Sequence, residues 1–202
     1  MKKIKLYIIL ITCLSSFSSW VPSPEFHYLN YDIFIADDNK IGEMRAIKSI
    51  SGNVINYSVQ TKISFRVFQS YDINYQLSSS YKNDQLVETV LKNVVNGKLE
   101  NNVKLIWNGE KYIGTNNNKP YEIKERIKIS TAYLYFHEPK VATKVFSDKF
   151  SEFNHIESEG NGIYTLHLSD GNKSKYTYKN GICQEATTVK NFVKIKLKLR
   201  NS

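Results

Sequence analysis

Ile55-Asn56-Tyr57-Ser58-Val59-Gln60-Thr61-Lys62-Ile63-Ser64-Phe65-Arg66-Val67 is the stretch on which the fold turns. Every odd position except Thr61 is apolar or aromatic, and every even position is polar. Successive side chains of a strand point to opposite faces, so alternation this long marks a strand with one buried and one wet face. The next segment repeats the pattern, with Tyr71, Ile73, Tyr75 and Leu77 set against Asp72, Asn74, Gln76 and Ser78. Tyr121, Ile123, Ile127 and Ile129 alternate with Glu122, Lys124, Arg126 and Lys128, Glu125 being the exception. Near the end, Val193, Ile195, Leu197 and Leu199 face away from Lys194, Lys196, Lys198 and Arg200. Helical periodicity would scatter those four basic residues around the whole circumference.

The breaks between these runs are hairpin breaks. Asn96-Gly97, Asn108-Gly109, Asp170-Gly171 and Asn180-Gly181 are pairs that accept positive φ at tight turns, and Ser51-Gly52-Asn53 and Asp37-Asp38-Asn39 add two more. Short connections join neighbouring strands in antiparallel order, so a long meander is the expected topology. Thr115-Asn116-Asn117-Asn118, closed by Lys119-Pro120, reads as an exposed loop. Residues 130–153 break the alternation. Ser130 is placed to cap a short helix through Tyr135 that Pro139 helps to end, and Ser147-Asp148-Lys149-Phe150 is placed to open a second helical turn. The apolar residues here would cover the open face of a curved sheet, since a half-wet sheet must bury its other face. The expected fold is mainly β: an antiparallel, strongly curved sheet or incomplete β-barrel with one or two short helices.

The first nineteen residues read differently. Met1-Lys2-Lys3-Ile4-Lys5, an apolar run from Leu6 to Leu14 and Ser15-Ser16-Phe17-Ser18-Ser19 form the three parts of a secretory signal peptide. The apolar run is far shorter than the ~20 residues that a membrane-spanning helix needs. The expected organisation is a signal peptide over 1–19 and a single antiparallel β-domain over 20–202, exported to the periplasm, outer envelope or extracellular space. Cleavage after Ser18 or Ser19 and lipid modification of Cys13 remain alternatives, Thr12 being bulkier than the residue usual before a lipidated cysteine.

Loss or lipidation of Cys13 leaves Cys183 as the one cysteine of the mature chain, so no internal disulfide is available even in an oxidising compartment. Cys183 lies beside Ile182 in an expected strand, which favours a buried apolar thiol over a catalytic one. Removing Lys2, Lys3 and Lys5 lowers the formal charge from +9 to +6. The surplus is almost all lysine, the arginines being Arg45, Arg66, Arg126 and Arg200. Sequence-reading nucleic-acid proteins favour arginine forks at base edges, so no nucleic-acid partner is expected. A diffuse positive charge suits solubility or attraction to anionic surfaces.

Chemistry-bearing motifs are sparse. The histidines are His27, His137, His155 and His167, with no i, i+4 pair, and one mature cysteine excludes a thiolate cluster, so no metal site and no cofactor is expected. There is no Gly-x-Ser-x-Gly elbow and no phosphate-cradling glycine loop. His137-Glu138-Pro139 is the nearest approach to a catalytic pair, because a carboxylate can orient or charge an imidazole; an exposed loop before proline accounts for it equally. Glu157 and Glu159 share a strand face, as a carboxylate pair or a solvated strand end. No residue is assigned as catalytic or ligand-binding. The fourteen tyrosines and ten phenylalanines often fall on the apolar strand face, as at Tyr57, Phe65, Tyr71, Tyr75 and Tyr121. On a concave sheet they either line a pocket for a lipid or simply fill the core.

Several stretches, read in order, resemble a known family. They are Tyr31-Asp32-Ile33, Lys40-Ile41-Gly42, Leu134-Tyr135-Phe136-His137-Glu138-Pro139, Val145-Phe146-Ser147-Asp148, Gly162-Ile163-Tyr164 and Tyr176-Thr177-Tyr178-Lys179-Asn180-Gly181. That family comprises exported bacterial proteins, chiefly from Bacteroidetes, classed as a domain of unknown function. The resemblance implies an antiparallel β-domain and carries no catalytic residues with it. In architecture alone the chain is also similar to the half-barrel carriers of lipids or lipoproteins in the periplasm. The expected role is therefore non-enzymatic: binding an apolar ligand or envelope protein at the concave face. The alternatives are an envelope hydrolase with a site near His137 and Glu138, or an interaction module using sheet edges or the basic last strand.

Overall fold

The computed structural model describes residues 23–36, 39–66, 69–190 and 193–201. The expectations for the leader, Cys13, the Asp37-Asp38 turn and Val67 lie outside the described residues. The strands β1 (Glu25–Ile35), β2 (Asn39–Ser51), β3 (Val54–Arg66), β4 (Ser70–Lys82), β5 (Gln85–Val95), β6 (Lys98–Trp107), β7 (Tyr112–Asn116) and β8 (Lys119–Ile123) form one antiparallel meander. A second meander contains β9 (Lys144–Ser147), β10 (Glu152–Gly160), β11 (Ile163–His167), β12 (Lys173–Lys179), β13 (Ile182–Lys190) and β14 (Val193–Leu199).

The two meanders fuse because β14 pairs with β1. Tyr31 lies opposite Leu199, Ile33 opposite Leu197 and Ile35 opposite Ile195, giving one 14-stranded sheet with β8 and β9 at its ends. The basic last strand is therefore central, paired with β1 on one side and β13 on the other. On β3 the alternation holds: Tyr57, Val59 and Ile63 are buried, whereas Gln60, Lys62, Ser64 and Arg66 are exposed.

Turn chemistry follows the sequence where two residues take positive φ. Asn96-Gly97 and Asn180-Gly181 do so as expected, and Asn83-Asp84 does so without glycine. Asn117-Asn118 also takes positive φ at both positions, so the polar tract is a tight hairpin and not an open loop. Thr115 and Asn116 belong to β7, and Lys119 and Pro120 to β8. Asparagine tolerates the left-handed region better than most residues, which lets this hairpin close without glycine.

The sheet curls until its ends approach without pairing. Asn116 Nδ2, on β7, donates to the Lys149 carbonyl at 3.2 Å and to Ser151 Oγ at 3.0 Å. Residues 124–143 cross from β8 to β9, exposed at both ends and mostly buried on the concave side between Ile127 and Pro139. The alternation does not continue as a strand past Ile123; instead Ile127, Ala132, Leu134 and Phe136 plug the interior. The expected helix is a single 3₁₀ turn, Tyr133–Tyr135, with no side-chain cap; the Ser130 carbonyl accepts the Tyr133 N–H at 3.1 Å. The second helical turn is one closure only, Ser151 N–H to the Ser147 carbonyl at 2.8 Å.

Buried polar bonds hold this crossing in place. Tyr112 Oη donates to the Leu86 carbonyl at 2.7 Å and accepts from the Ile127 N–H at 3.2 Å. Tyr178 Oη, from the other meander, donates to the Leu134 carbonyl at 2.8 Å. The plug separates two apolar clusters, one under β1–β7 and one under β10–β13, with Tyr135 and Leu197 packed against both.

Gly42 of β2 has no room for a side chain against β3: a Cβ there would lie 2.2 Å from the Lys62 carbonyl oxygen and 2.8 Å from Ile63 Cα. Overpacking against immobile backbone costs about 1–3 kcal/mol. Gly42→Ala is expected to lose stability in that range, read as a lower urea midpoint at unchanged slope.

Candidate functional site

The plug does not fill the concave side completely. A cavity of about 340 Å³ remains between the meanders, within the size range of small-molecule sites. Its aliphatic wall comes from the inward positions of β1–β4, among them Ile33, Val59, Ile63 and Ile73, and from Leu166, Ile195 and Leu197 opposite. Thr131 and Tyr135 from the crossing segment and Lys149 and Phe150 from the β9–β10 turn complete it. The exposed Asp170 and Val189 on its wall mark the side that meets solvent. The period-2 pattern explains why so many apolar side chains converge here, because every odd residue of β3 and β4 is delivered to this face.

Behind this wall lies a buried polar chain. Asp148 is fully buried; its Oδ1 accepts from Thr89 Oγ1 at 2.7 Å and its Oδ2 from Thr131 Oγ1 at 2.8 Å. Thr89 is in turn bonded to Ser79 at 2.9 Å. Burial raises the Asp148 carboxyl above its ordinary range, and the threonine hydroxyls offset part of that. The bonds tie β5, the crossing segment and the β9–β10 turn together, so Asp148 fastens the curled sheet.

His137 and Glu138 do not act on each other. His137 Nε2 lies 2.9 Å from Tyr57 Oη and 3.2 Å from Lys48 Nζ, and its ring stacks on Tyr133 with centroids 4.3 Å apart. An ammonium only donates, so Nε2 is the acceptor and the neutral ring carries its proton on Nδ1. Burial, with Lys48 adding repulsion, pushes the imidazole down to about 4. Glu138 Oε1 instead accepts from Tyr164 Oη on β11 at 3.0 Å. The pair staples the crossing segment to both meanders, one residue to each.

The remaining candidates are placed as follows. Cys183 is fully buried, and burial pushes its thiol up to about 12, which is the inert thiol expected from its sequence setting. Glu157 and Glu159 diverge in their partners: Glu157 Oε1 bonds His167 Nε2 at 2.7 Å, while Glu159 bonds Thr165 and Lys175. His155 lies near this first pair, its ring 5.7 Å from that of His167. Strand register brings these histidines together, and spacing along the chain gave no sign of it. Among the described residues no group of three such side chains is arranged to hold a metal ion. No described helix is long and apolar enough to cross a membrane.

An open, 14-stranded antiparallel barrel with an internal plug and a residual cavity defines the class. The chain belongs to the family described as Domain of unknown function (DUF6134), whose model matches residues 31–200. No curated protein matches it. Among solved structures it is similar to a beta-barrel-like protein of domain of unknown function DUF1849 from Brucella abortus. That likeness has a TM-score of 0.54 and 13% identity, and covers 87% of this chain and 96% of the other. At that identity the likeness shows the fold.

The depressed imidazole has a consequence for stability. An unfolded histidine titrates near ~6.5, whereas folded His137 does so at about 4. Between those values the unfolded chain gains a proton that the folded chain refuses, so stability falls with falling pH across that window and is fully present above it. His137→Gln keeps an acceptor for Lys48 and Tyr57 and removes the titration. The urea midpoint of the variant is expected to fall less than that of the parent between about pH 7 and pH 4.5.

Proposed function

We propose that this protein is an exported, non-enzymatic component of the cell envelope that holds an apolar small molecule, such as a lipid chain, in the cavity inside its sheet. The observation that carries this reading is the 340 Å³ space left beside a plug that fills the rest of the concave side. Concave, mostly apolar pockets with a few polar groups on the wall are the ordinary form of small-molecule sites. Here the space is lined by aliphatic side chains from both meanders and opens to solvent on one side, which suits entry of a ligand. The basic and apolar leader of the sequence supports export.

A second reading is an envelope-protein partner at the outer face of β1. Phe26 and Tyr28 are each 51% exposed and stack with ring centroids 6.2 Å apart, and Arg45 lies over Tyr28 at 5.0 Å. Exposed aromatic and arginine side chains are common anchors of protein interfaces. The hydrolase reading needs His137 and Glu138 to cooperate, and their separate partners give it no support.

Native mass spectrometry of protein purified gently from the envelope of its own host tests the first reading. A reproducible added mass that releases as a small molecule is expected. A bare mass together with a co-purifying protein would favour the second. Thr61 lines the cavity and is half-buried, so Thr61→Trp places an indole in the space. This variant is expected to lose the added mass while keeping its folded β spectrum.

A further inference from the structure

The cavity wall is not uniformly apolar. Tyr75 from β4, Tyr135 from the crossing segment and Tyr176 from β12 all line it. Each lies within electrostatic reach of at least one of the others, so the three phenols share one region. Tyr75 is only half-buried by its surface, although it sits among core residues, because it faces this space. Their hydroxyls are not among the buried side-chain atoms left without a partner, and no hydrogen bond ties them to another described residue, so they are open to the pocket. Contrast Tyr31, Tyr112 and Tyr178, whose buried hydroxyls all donate to backbone carbonyls. Beside them, Asn93 Oδ1 is buried without a partner on the same wall, and Asn93 lies directly across from Tyr75 in the sheet.

A hydroxyl open to an otherwise apolar pocket gives an occupant a directional bond that phenylalanine would not. Three such groups turned into one cavity therefore point to something that occupies it and bonds to them. Burial raises all three phenols, so they stay protonated and act as donors. The charged side chains on the wall are Lys149 and Asp170, one of each sign, and Asp148 lies close enough to Tyr75 to act on it electrostatically. No arginine stands on the wall. A full negative charge beside Tyr75 would face the Asp148 carboxyl, whereas a neutral oxygen would not.

Resting on the carrier reading above, we propose that the ligand is an amphiphile with an uncharged, oxygen-bearing head, an alcohol or an ester. Its head accepts hydrogen bonds from Tyr75, Tyr135 and Tyr176, and its hydrocarbon part lies along Ile33, Ile63, Ile73 and Leu197.

Delipidated full-chain protein titrated calorimetrically with decane, 1-decanol, methyl decanoate and decanoate separates the alternatives, because the probes share a chain and differ in the head. Decanol and methyl decanoate are expected to bind tightest. Tyr75→Phe and Tyr176→Phe, which keep the ring and remove the hydroxyl, are each expected to lose roughly tenfold in that affinity, with decane binding unchanged. Equal affinity for all four probes, unaffected by either variant, would overturn the proposal and leave the carrier reading standing with a plain apolar pocket. Tightest binding of decanoate would overturn it in favour of an anionic head at Lys149. No binding of any probe, together with a bare mass from the native host, would remove the carrier reading and this proposal with it.

Discussion

A chain that runs from one end of an open sheet to the other through its concave side must satisfy its backbone polar groups away from water. The stretch from Ile127 to Pro139 meets that constraint, and the rest of the structure is arranged around it. Two tyrosines do much of the bonding, Tyr112 at Ile127 and Tyr178 at Leu134, one from each meander. Backbone bonds supply the rest: Leu86 N–H to the Ile127 carbonyl at 2.9 Å, and Phe146 and Thr131 N–H groups to the Ile129 and Phe146 carbonyls at 2.9 and 3.1 Å. Unpaired buried peptide groups are costly, so these partners fix where the segment lies as firmly as its apolar side chains do.

From that placement follows the division of the interior. The crossing segment carries Ile127, Ala132 and Phe136 to one apolar cluster and Leu134 to the other. It leaves room beside Thr131 and Tyr135, and the cavity occupies that room. The clasp at Asp148 holds the β9–β10 turn against β5 and the segment itself, closing one side of the space. The conspicuous His137-Glu138 pair serves the same end by engaging Tyr57 and Lys48 on one meander and Tyr164 on the other. Its prominence in the sequence reflects architecture.

Legibility along the chain tracked the range of the forces involved. Alternation over β3 and β4 named the inward residues correctly, down to Tyr75 and Ile73, because a strand's faces follow from backbone geometry within a few residues. It misled at Ile127 and Ile129, which keep the period of two but belong to a buried irregular segment. Apolar spacing records burial without recording which backbone conformation delivers it. Asn117-Asn118 closes a tight hairpin although its polar tract suits a loop equally, because asparagine alone supplies the positive φ there. Of the cavity tyrosines, Tyr75 is legible as an inward aromatic of an alternating strand, whereas Tyr135 and Tyr176 are placed there by the tertiary structure. Nothing local distinguished those whose hydroxyls bond the backbone, such as Tyr31, from those that face open space.

By itself, then, the sequence determined the strands, their wet and dry faces and most of their turns, all properties set by sterics and solvent within about ten residues. It also determined that no disulfide would brace the described domain. The tertiary structure alone decided that β14 docks on β1, that the last strand is central and that the stretch from Ile127 to Pro139 packs inside. It also decided that a cavity survives between two meanders whose lining residues are more than a hundred positions apart in the chain, as Ile33 and Leu197 are. Those outcomes depend on which distant surfaces meet, a choice made by the sum of all pairings and by the need to satisfy every buried polar group at once. No single segment encodes that sum.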